Sequence, residues 1–174
     1  MTNNIEFNLS KEAFVTDPCY ERGTSCAGTV KTRPGKWFAN VIQEDKGAWG
    51  VRNSKLICWH SEFTDNDALM ANKMLPFVVG VDSGQAGVFC EEAYPKGNET
   101  GDYDDPDSFY RQACDASYDE QNPEKIFGAL PNGKGVCASS GYGDGCYEAY
   151  GHFVNEECVA ISIVFIGEDE EVED

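Results

Sequence analysis

The chain has 174 residues, of which 41% are hydrophobic, so it is long and apolar enough to bury the core of one globular domain. Its 31 acidic residues outnumber 13 basic ones and give a formal net charge of -18, which opposes direct binding to nucleic acid and to anionic membranes. The opening MTNNIEFNLSKEAF has no signal-peptide pattern and no apolar stretch is long enough to cross a bilayer, so we expect a soluble intracellular protein.

Most of the chain has the apolar and β-branched patterns that are typical of strands. In chain order the predicted strands are AFVT, GTVKT, KWFANVIQ, WGVR, SKLICWHSEF, PFVVGVD, AGVFC, VCASS, CYEAY and CVAISIVFI. The last is apolar on both faces, which predicts a central strand that is buried on both sides. A short connection at Ser83-Gly84-Gln85 predicts that PFVVGVD and AGVFC form a hairpin.

Two short helices interrupt this pattern. DALMANKML is predicted to be helical, with Thr64 or Asp65 as its N-cap. PDSFYRQAC is predicted to be the second, with Asp105 as N-cap and Pro106 in the first turn. The predicted fold is a single α+β domain, mostly β, over residues 1–166, built on an antiparallel sheet or β-sandwich with one or two short helices. Residues 167–174 are predicted to form an acidic C-terminal tail.

Eight cysteines are present, and no two form the C-x-x-C spacing that is common in structural zinc sites. Several lie among apolar strand residues, where a free cysteine behaves as a small hydrophobic residue. Without an export signal, we expect reduced thiols that are mostly buried. The eight are Cys19, Cys26, Cys58, Cys90, Cys114, Cys137, Cys146 and Cys158.

Three further patterns are compared with known sites. GALPNGKG resembles a phosphate-binding loop but has Gly135 where Ser or Thr would hold magnesium, so a turn at Pro131-Asn132-Gly133 is the better interpretation. GDYDDPD lacks the EF-hand spacing and is predicted to be a solvated acidic loop. His60 and His152 have no catalytic signature around them, and they are interpreted as packing or surface residues. We predict no metal site and no cofactor.

Residues 139–150 read SSGYGDGCYEAY, a run with three alternating glycines. It does not match a dinucleotide-binding loop, because no helix start follows it. The strand-like residues on both sides predict a hairpin, with Asp144-Gly145 as the turn pair and a positive φ at Gly145. The hairpin leaves open whether Ser139, Tyr142 and Asp144 line a pocket at its tip.

Three short motifs carry a resemblance that spans roughly Phe14 to Ile166. They are DP at residues 17–18, VDSG at 81–84 and SGYGDG at 140–145, and the segments PGKWFANV and RNSKLICWHSEF between them also fit. Together they resemble an uncharacterised family of small bacterial and bacteriophage proteins, a domain of unknown function. The chain departs from that pattern at Cys90, where an Asp is common. The resemblance implies a β-rich fold and a phage or mobile-element setting, hence the bacterial cytoplasm, but no activity.

Two hypotheses of function remain. The first is an acidic phage-type protein that acts by binding, as an inhibitor that occupies a basic surface of a host or anti-phage defence protein. Its candidate partner-binding residues are Asp102, Asp104, Asp105, Asp107, Glu168, Asp169, Glu170 and Glu171. The alternative is a small-molecule-binding domain or hydrolase with a polar site. Its candidate ligand-binding residues are Asp17, Asp82, Ser139, Tyr142 and Asp144. Binding is favoured over catalysis, and the oligomeric state is left open.

Overall fold

A computed structural model of the chain describes residues 4–96, 100–118, 121 and 126–167. The described strands are β1 (Ile5–Leu9), β2 (Glu12–Thr16), β3 (Gly28–Lys31), β4 (Gly35–Asp45), β5 (Val51–His60), β6 (Lys73–Val81), β7 (Gln85–Cys90), β8 (Phe127–Ala129), β9 (Gly135–Ser139), β10 (Gly145–Val154) and β11 (Glu157–Val164). Helix α1 (Asp65–Leu69) lies between β5 and β6, and helix α2 (Phe109–Ser117) lies between β7 and β8.

The strands form two sheets. The six-stranded sheet has the order β1-β4-β5-β11-β10-β6, and the five-stranded sheet has the order β3-β2-β7-β9-β8. Neighbouring strands in both sheets are antiparallel. The predicted α+β fold, mostly β with two short helices, is therefore confirmed as a β-sandwich.

The main core lies between the sheets, where Trp37, Leu56 and Ile161 of one sheet pack in the same cluster as Val15 and Val88 of the other. Each sheet also buries part of its outer face under a helix. The outer residues Phe89 and Cys137 pack with Ala113 and Ala116 of α2. Likewise, Ile57, Trp59 and Ala160 pack with Ala68 of α1.

Strand β11 shows why both faces of CVAISIVFI are apolar. Ile161 and Ile163 face the main core, while Ala160 faces α1. The strand pairs with β5 on one side and β10 on the other. The predicted central strand, buried on both sides, is confirmed.

The two helices begin at different kinds of cap. Helix α1 has Thr64 as its N-cap, as predicted, and the Thr64 backbone N–H donates to Asp67 Oδ2 at 2.8 Å. For α2 the prediction of Asp105 was wrong, because the cap is Ser108, whose Oγ accepts the Arg111 backbone N–H at 3.1 Å. The chain first makes a turn in which the Ser108 N–H donates to the Asp105 carbonyl. Neither helix, in the part of the chain that is described, is long and apolar enough to cross a membrane.

The sequence predicted a hairpin at each of two Gly-containing connections, between β6 and β7 and between β9 and β10, and both predictions were wrong. Strands β6 and β7 belong to different sheets, as do β9 and β10, so residues 82–84 and residues 140–144 each cross from one sheet to the other. The two crossovers lie side by side, because β6 pairs with β10 and β7 pairs with β9. They are also joined directly, since the Ser140 N–H donates to the Gly84 carbonyl at 3.0 Å.

The turn inside the second crossover spans Ser140 to Gly143, so its central pair, residues 141–142, lies three positions before the predicted pair Asp144-Gly145. The Gly143 N–H donates to the Ser140 carbonyl at 3.0 Å, and the Ser140 hydroxyl donates to the Gly143 carbonyl at 2.7 Å. Gly143 has a φ of 102°, whereas Gly145 is not among the residues with positive φ and already belongs to β10. The predicted turn at 131–133 is confirmed, because the Gly133 N–H donates to the Leu130 carbonyl between β8 and β9.

Candidate functional site

The DP and VDSG motifs meet at the corner where the first crossover leaves β6. Asp17 follows β2 and is fully buried. Its Oδ1 accepts the Cys19 N–H at 2.8 Å and the Ser83 hydroxyl at 2.6 Å. Its Oδ2 accepts the backbone N–H groups of Asp82 and Ser83, both at 2.8 Å. Because an ionised carboxylate has about four lone-pair sites, these four donors occupy Asp17 fully and give it an architectural role.

Asp82, one residue into the crossover, has the opposite environment. Its side chain is exposed, and its Oδ2 accepts the Tyr20 hydroxyl at 2.6 Å. This hydrogen bond raises the pKa of Tyr20, since the bond and the nearby negative charge both favour the neutral phenol. The Asp82 carboxylate is thus held in one place by Tyr20 while its backbone is held by Asp17.

Beside this corner lies an open cleft, which we call the tyrosine cleft after Tyr20, Tyr103 and Tyr110. It consists of two adjoining cavities of about 620 Å³ and about 320 Å³ that share Tyr103 and Tyr110 as lining residues. The larger cavity is also lined by Cys19, Tyr20, Glu21, Thr24, Thr100, Gly101 and Asp102. The smaller one reaches the VDSG crossover at Ser83, Gly84 and Gln85 and the end of β9 at Ser139.

The tyrosine cleft is acidic. Glu21 and Asp102 line the larger cavity and Asp115 the smaller one, while no lysine or arginine is among the described lining residues of either. Arg111 lies beside the cleft, where it donates to Asp115 Oδ1 at 3.0 Å and lies over the Tyr103 ring, 4.6 Å from its centroid. The cleft therefore offers carboxylates and aromatic faces, a combination that favours cations over anions.

The acidic loop that supplies Asp102 is folded by its own side chains. Asp102 Oδ1 accepts the Asp104 N–H at 3.3 Å, and Asp105 Oδ1 accepts the Asp107 N–H at 2.9 Å. All four aspartates are exposed, as predicted for a solvated loop. Among the residues that the structure describes, no group of three or more acidic, cysteine or histidine side chains is placed to hold a metal ion.

The structure does not bring the five predicted ligand-binding residues to one cavity. Asp17 and Asp82 are neighbours at the corner, and Ser139 lines the smaller cavity of the tyrosine cleft. Tyr142 and Asp144 line a separate cavity of about 490 Å³, which we call the side cavity. There Tyr142 packs against Trp49, with ring centroids 6.4 Å apart, and Arg52 lies over its ring at 5.8 Å.

The two histidines lie in different environments, and His60 is a packing residue as predicted. His60 is buried; its Nε2 lies 3.0 Å from the Pro34 carbonyl, and its Nδ1 accepts the Glu62 N–H at 3.1 Å. It also packs edge-on against Trp37. His60 is therefore a packing residue. His152 is half-buried on β10 and pairs with Ala160 of β11.

The thiols near the tyrosine cleft are poor nucleophiles. All eight cysteines are free, and Cys58, Cys90, Cys137 and Cys158 are buried, so the prediction of mostly buried thiols holds for these four. Half-buried Cys19 lines the cleft, where burial and then the negative charge of Asp17 raise its pKa to about 12. Because the thiolate is the reactive form, Cys19 is unsuited to nucleophilic catalysis at neutral pH.

We expect Cys146 to be alkylated much faster than Cys19 in the native protein. Cys146 is exposed on β10, whereas burial and the charge of Asp17 raise the pKa of Cys19 and keep its thiol protonated at pH 8. Brief iodoacetamide treatment followed by peptide mapping should modify Cys146 first and leave Cys19 largely intact. A Cys146→Ser variant should lose the fast phase, and rapid modification of Cys19 would contradict this account of its environment.

Four predicted partner-binding residues lie outside the described residues, and so does the rest of the predicted tail beyond Gly167. The four are Glu168, Asp169, Glu170 and Glu171.

Comparison of the chain with protein-family models, with curated proteins and with solved structures finds no match. The case for function therefore depends on the geometry of the site.

Sequence reasoning missed the residues that shape the cleft. Tyr20 lies far in the sequence from Tyr103 and Tyr110, and none of the three was predicted as a site residue. The available signal was weak: Tyr20 follows the DP motif closely, and Tyr103 lies inside the acidic loop. A tyrosine adjacent to aspartates in a loop is a signal that could have indicated a cation-binding surface.

Proposed function

We propose that the protein acts by binding, and that the tyrosine cleft takes a basic segment of a partner protein. One observation carries the proposal: three tyrosines and the carboxylates of Glu21 and Asp102 line one open cleft, and the exposed Asp82 carboxylate is hydrogen-bonded to one of those tyrosines, Tyr20. The cavity of about 620 Å³ lies within the usual range of binding pockets, which is about 300–1,000 Å³.

The charge of the whole chain supports the same kind of partner. A formal charge of -18 creates a field that attracts basic surfaces and speeds their encounter with the protein. The acidic loop extends this field beyond the cavity, because Asp104, Asp105 and Asp107 are exposed next to Asp102. Long-range attraction and a local binding cleft therefore act on the same partner.

The resemblance to bacterial and phage proteins supports a partner in the bacterial host cell. We propose that the partner is a host or anti-phage defence protein. The protein binds a basic segment of that partner in its cleft, covers the partner's basic surface and so inhibits it. The small-molecule alternative is less well supported. It needs Asp17, Tyr142 and Asp144 in one site, whereas Asp17 is saturated with hydrogen bonds and the other two line the side cavity.

The test is binding of a basic peptide, eight residues long with mixed lysine and arginine, measured by titration calorimetry. Asp82→Asn combined with Asp102→Asn should weaken binding at least about tenfold, because two carboxylates at the cleft lose their charge. Both changes keep the side-chain shape, and an asparagine oxygen can still accept the hydrogen bonds from Tyr20 and from the Asp104 N–H.

Glu6→Gln combined with Glu12→Gln is the matched control. It removes the same two charges from exposed positions on β1 and β2, outside the cleft, and should reduce affinity only slightly. Affinity should also fall between low and physiological salt, because exposed charges are screened beyond roughly 8 Å at about 0.15 M. Equal losses in the two double variants, or no binding of the peptide at all, would refute the proposal.

A further inference from the structure

We propose that the residue the tyrosine cleft recognises in its partner is an arginine, bound by stacking on Tyr103 and by a forked contact with Asp82. This inference rests on the proposed function and adds a chemical specificity to it. Charge alone attracts lysine and arginine equally, so any preference must come from the shape and the aromatic character of the cleft.

Tyr103 presents an aromatic face that already accommodates a guanidinium. The chain's own Arg111 lies over the ring at 4.6 Å, well within the range of about 6 Å for a cation–π contact. A ring has two faces, and Tyr103 remains 52% exposed although Arg111 covers one of them. Tyr110 stands at 64° to Tyr103, with ring centroids 6.5 Å apart, and forms an adjoining wall. A planar guanidinium can stack on such a surface, whereas a compact ammonium gains less from it.

Asp82 supplies an acceptor that is fixed before the partner arrives. The Tyr20 hydroxyl holds Oδ2, and the backbone N–H of Asp82 is held by buried Asp17. An immobilised carboxylate loses little conformational entropy on binding and can accept the two parallel N–H groups of a guanidinium. Lysine donates from a single point and cannot use this geometry fully.

The experiment compares two peptides of equal length and charge, one with arginine and one with lysine as its only basic residue type, in a Gly/Ser background. We expect the arginine peptide to bind about tenfold more tightly, in line with a partly desolvated cation–π contact and a bidentate hydrogen bond. Tyr103→Leu should reduce the preference for the arginine peptide and leave only the part that the forked contact with Asp82 supplies. Tyr103→Phe keeps the ring and should keep the preference.

Tyr142→Leu is the matched control, because Tyr142 is similarly exposed, at 43%, and similarly covered by an arginine, but lines the side cavity. It should leave both affinities unchanged. Equal affinity for the two peptides would refute the inference and leave the proposed function standing, while failure of both peptides to bind would overturn the proposed function itself. A preference that is undiminished by Tyr103→Leu in a folded variant, checked by circular dichroism, would overturn the stacking role.

Discussion

Asp17→Asn is expected to destabilise the protein by about 3–5 kcal/mol, or to prevent folding altogether. The substituted amide replaces one acceptor oxygen with an NH₂ group, which would face N–H or O–H donors that now bind the carboxylate. At a fully buried position no water can take over, so at least one donor is left unsatisfied. The measurement is urea unfolding followed by tryptophan fluorescence.

Asp82→Asn is the matched control, because it makes the same chemical change at the aspartate of the VDSG motif, whose backbone N–H binds Asp17. The side chain of Asp82 is exposed, and asparagine can still accept the Tyr20 hydroxyl. We expect a change in stability below about 1 kcal/mol. If the two variants unfold at the same urea concentration, Asp17 does not hold the crossover in place as described.

Gly143→Val should cost about 1–3 kcal/mol, the usual price of a strained backbone conformation. Gly143 has a φ of 102°, which a branched residue tolerates poorly, yet a Cβ there would meet no atom within 4 Å. The whole loss therefore comes from the backbone, and thermal unfolding by differential scanning calorimetry should show it as a lower midpoint temperature.

Gly145→Val serves as the comparison two residues away. Gly145 lies in a strand without positive φ, and a Cβ there would come within 3.2 Å of the Tyr147 hydroxyl, at the end of a flexible side chain. Because valine favours strands, we expect a small net effect, below about 1 kcal/mol. A larger loss at Gly145 than at Gly143 would contradict the placement of the turn.

Strand positions could be predicted from the sequence because apolar patterning is local. Thus VCASS and CYEAY both form strands, as β9 and the start of β10. Their pairing could not be predicted, because a Gly-rich turn indicates a change of direction but not which sheet the chain enters next. That choice depends on distant strands: β10 gains β6 and β11 as neighbours, and β9 gains β7 and β8.

The candidate site was predictable only in part for the same reason. The DP, VDSG and SGYGDG motifs do converge, but the bonds between Asp17 and Ser83 join residues 66 positions apart. The sequence also gave no indication that Asp17 is saturated while Asp82 is exposed, since both are aspartates in turn-forming pairs. The difference in burial between Asp17 and Asp82 gives them different roles. That burial depends on how the two sheets pack at the corner, which the local sequence does not determine.

The paired crossovers have a consequence for local opening of the fold. In a sandwich made of hairpins, one sheet could peel away while the other kept its hydrogen bonds. Here residues 82–84 and 140–144 tie adjacent strands of both sheets together at one corner, where Asp17 joins the end of β2 to the first crossover. Separating the sheets there would break the four hydrogen bonds of Asp17 and expose its charge in a half-open core. We therefore expect the two sheets to open as one cooperative unit, with partial unfolding confined to edges away from this corner.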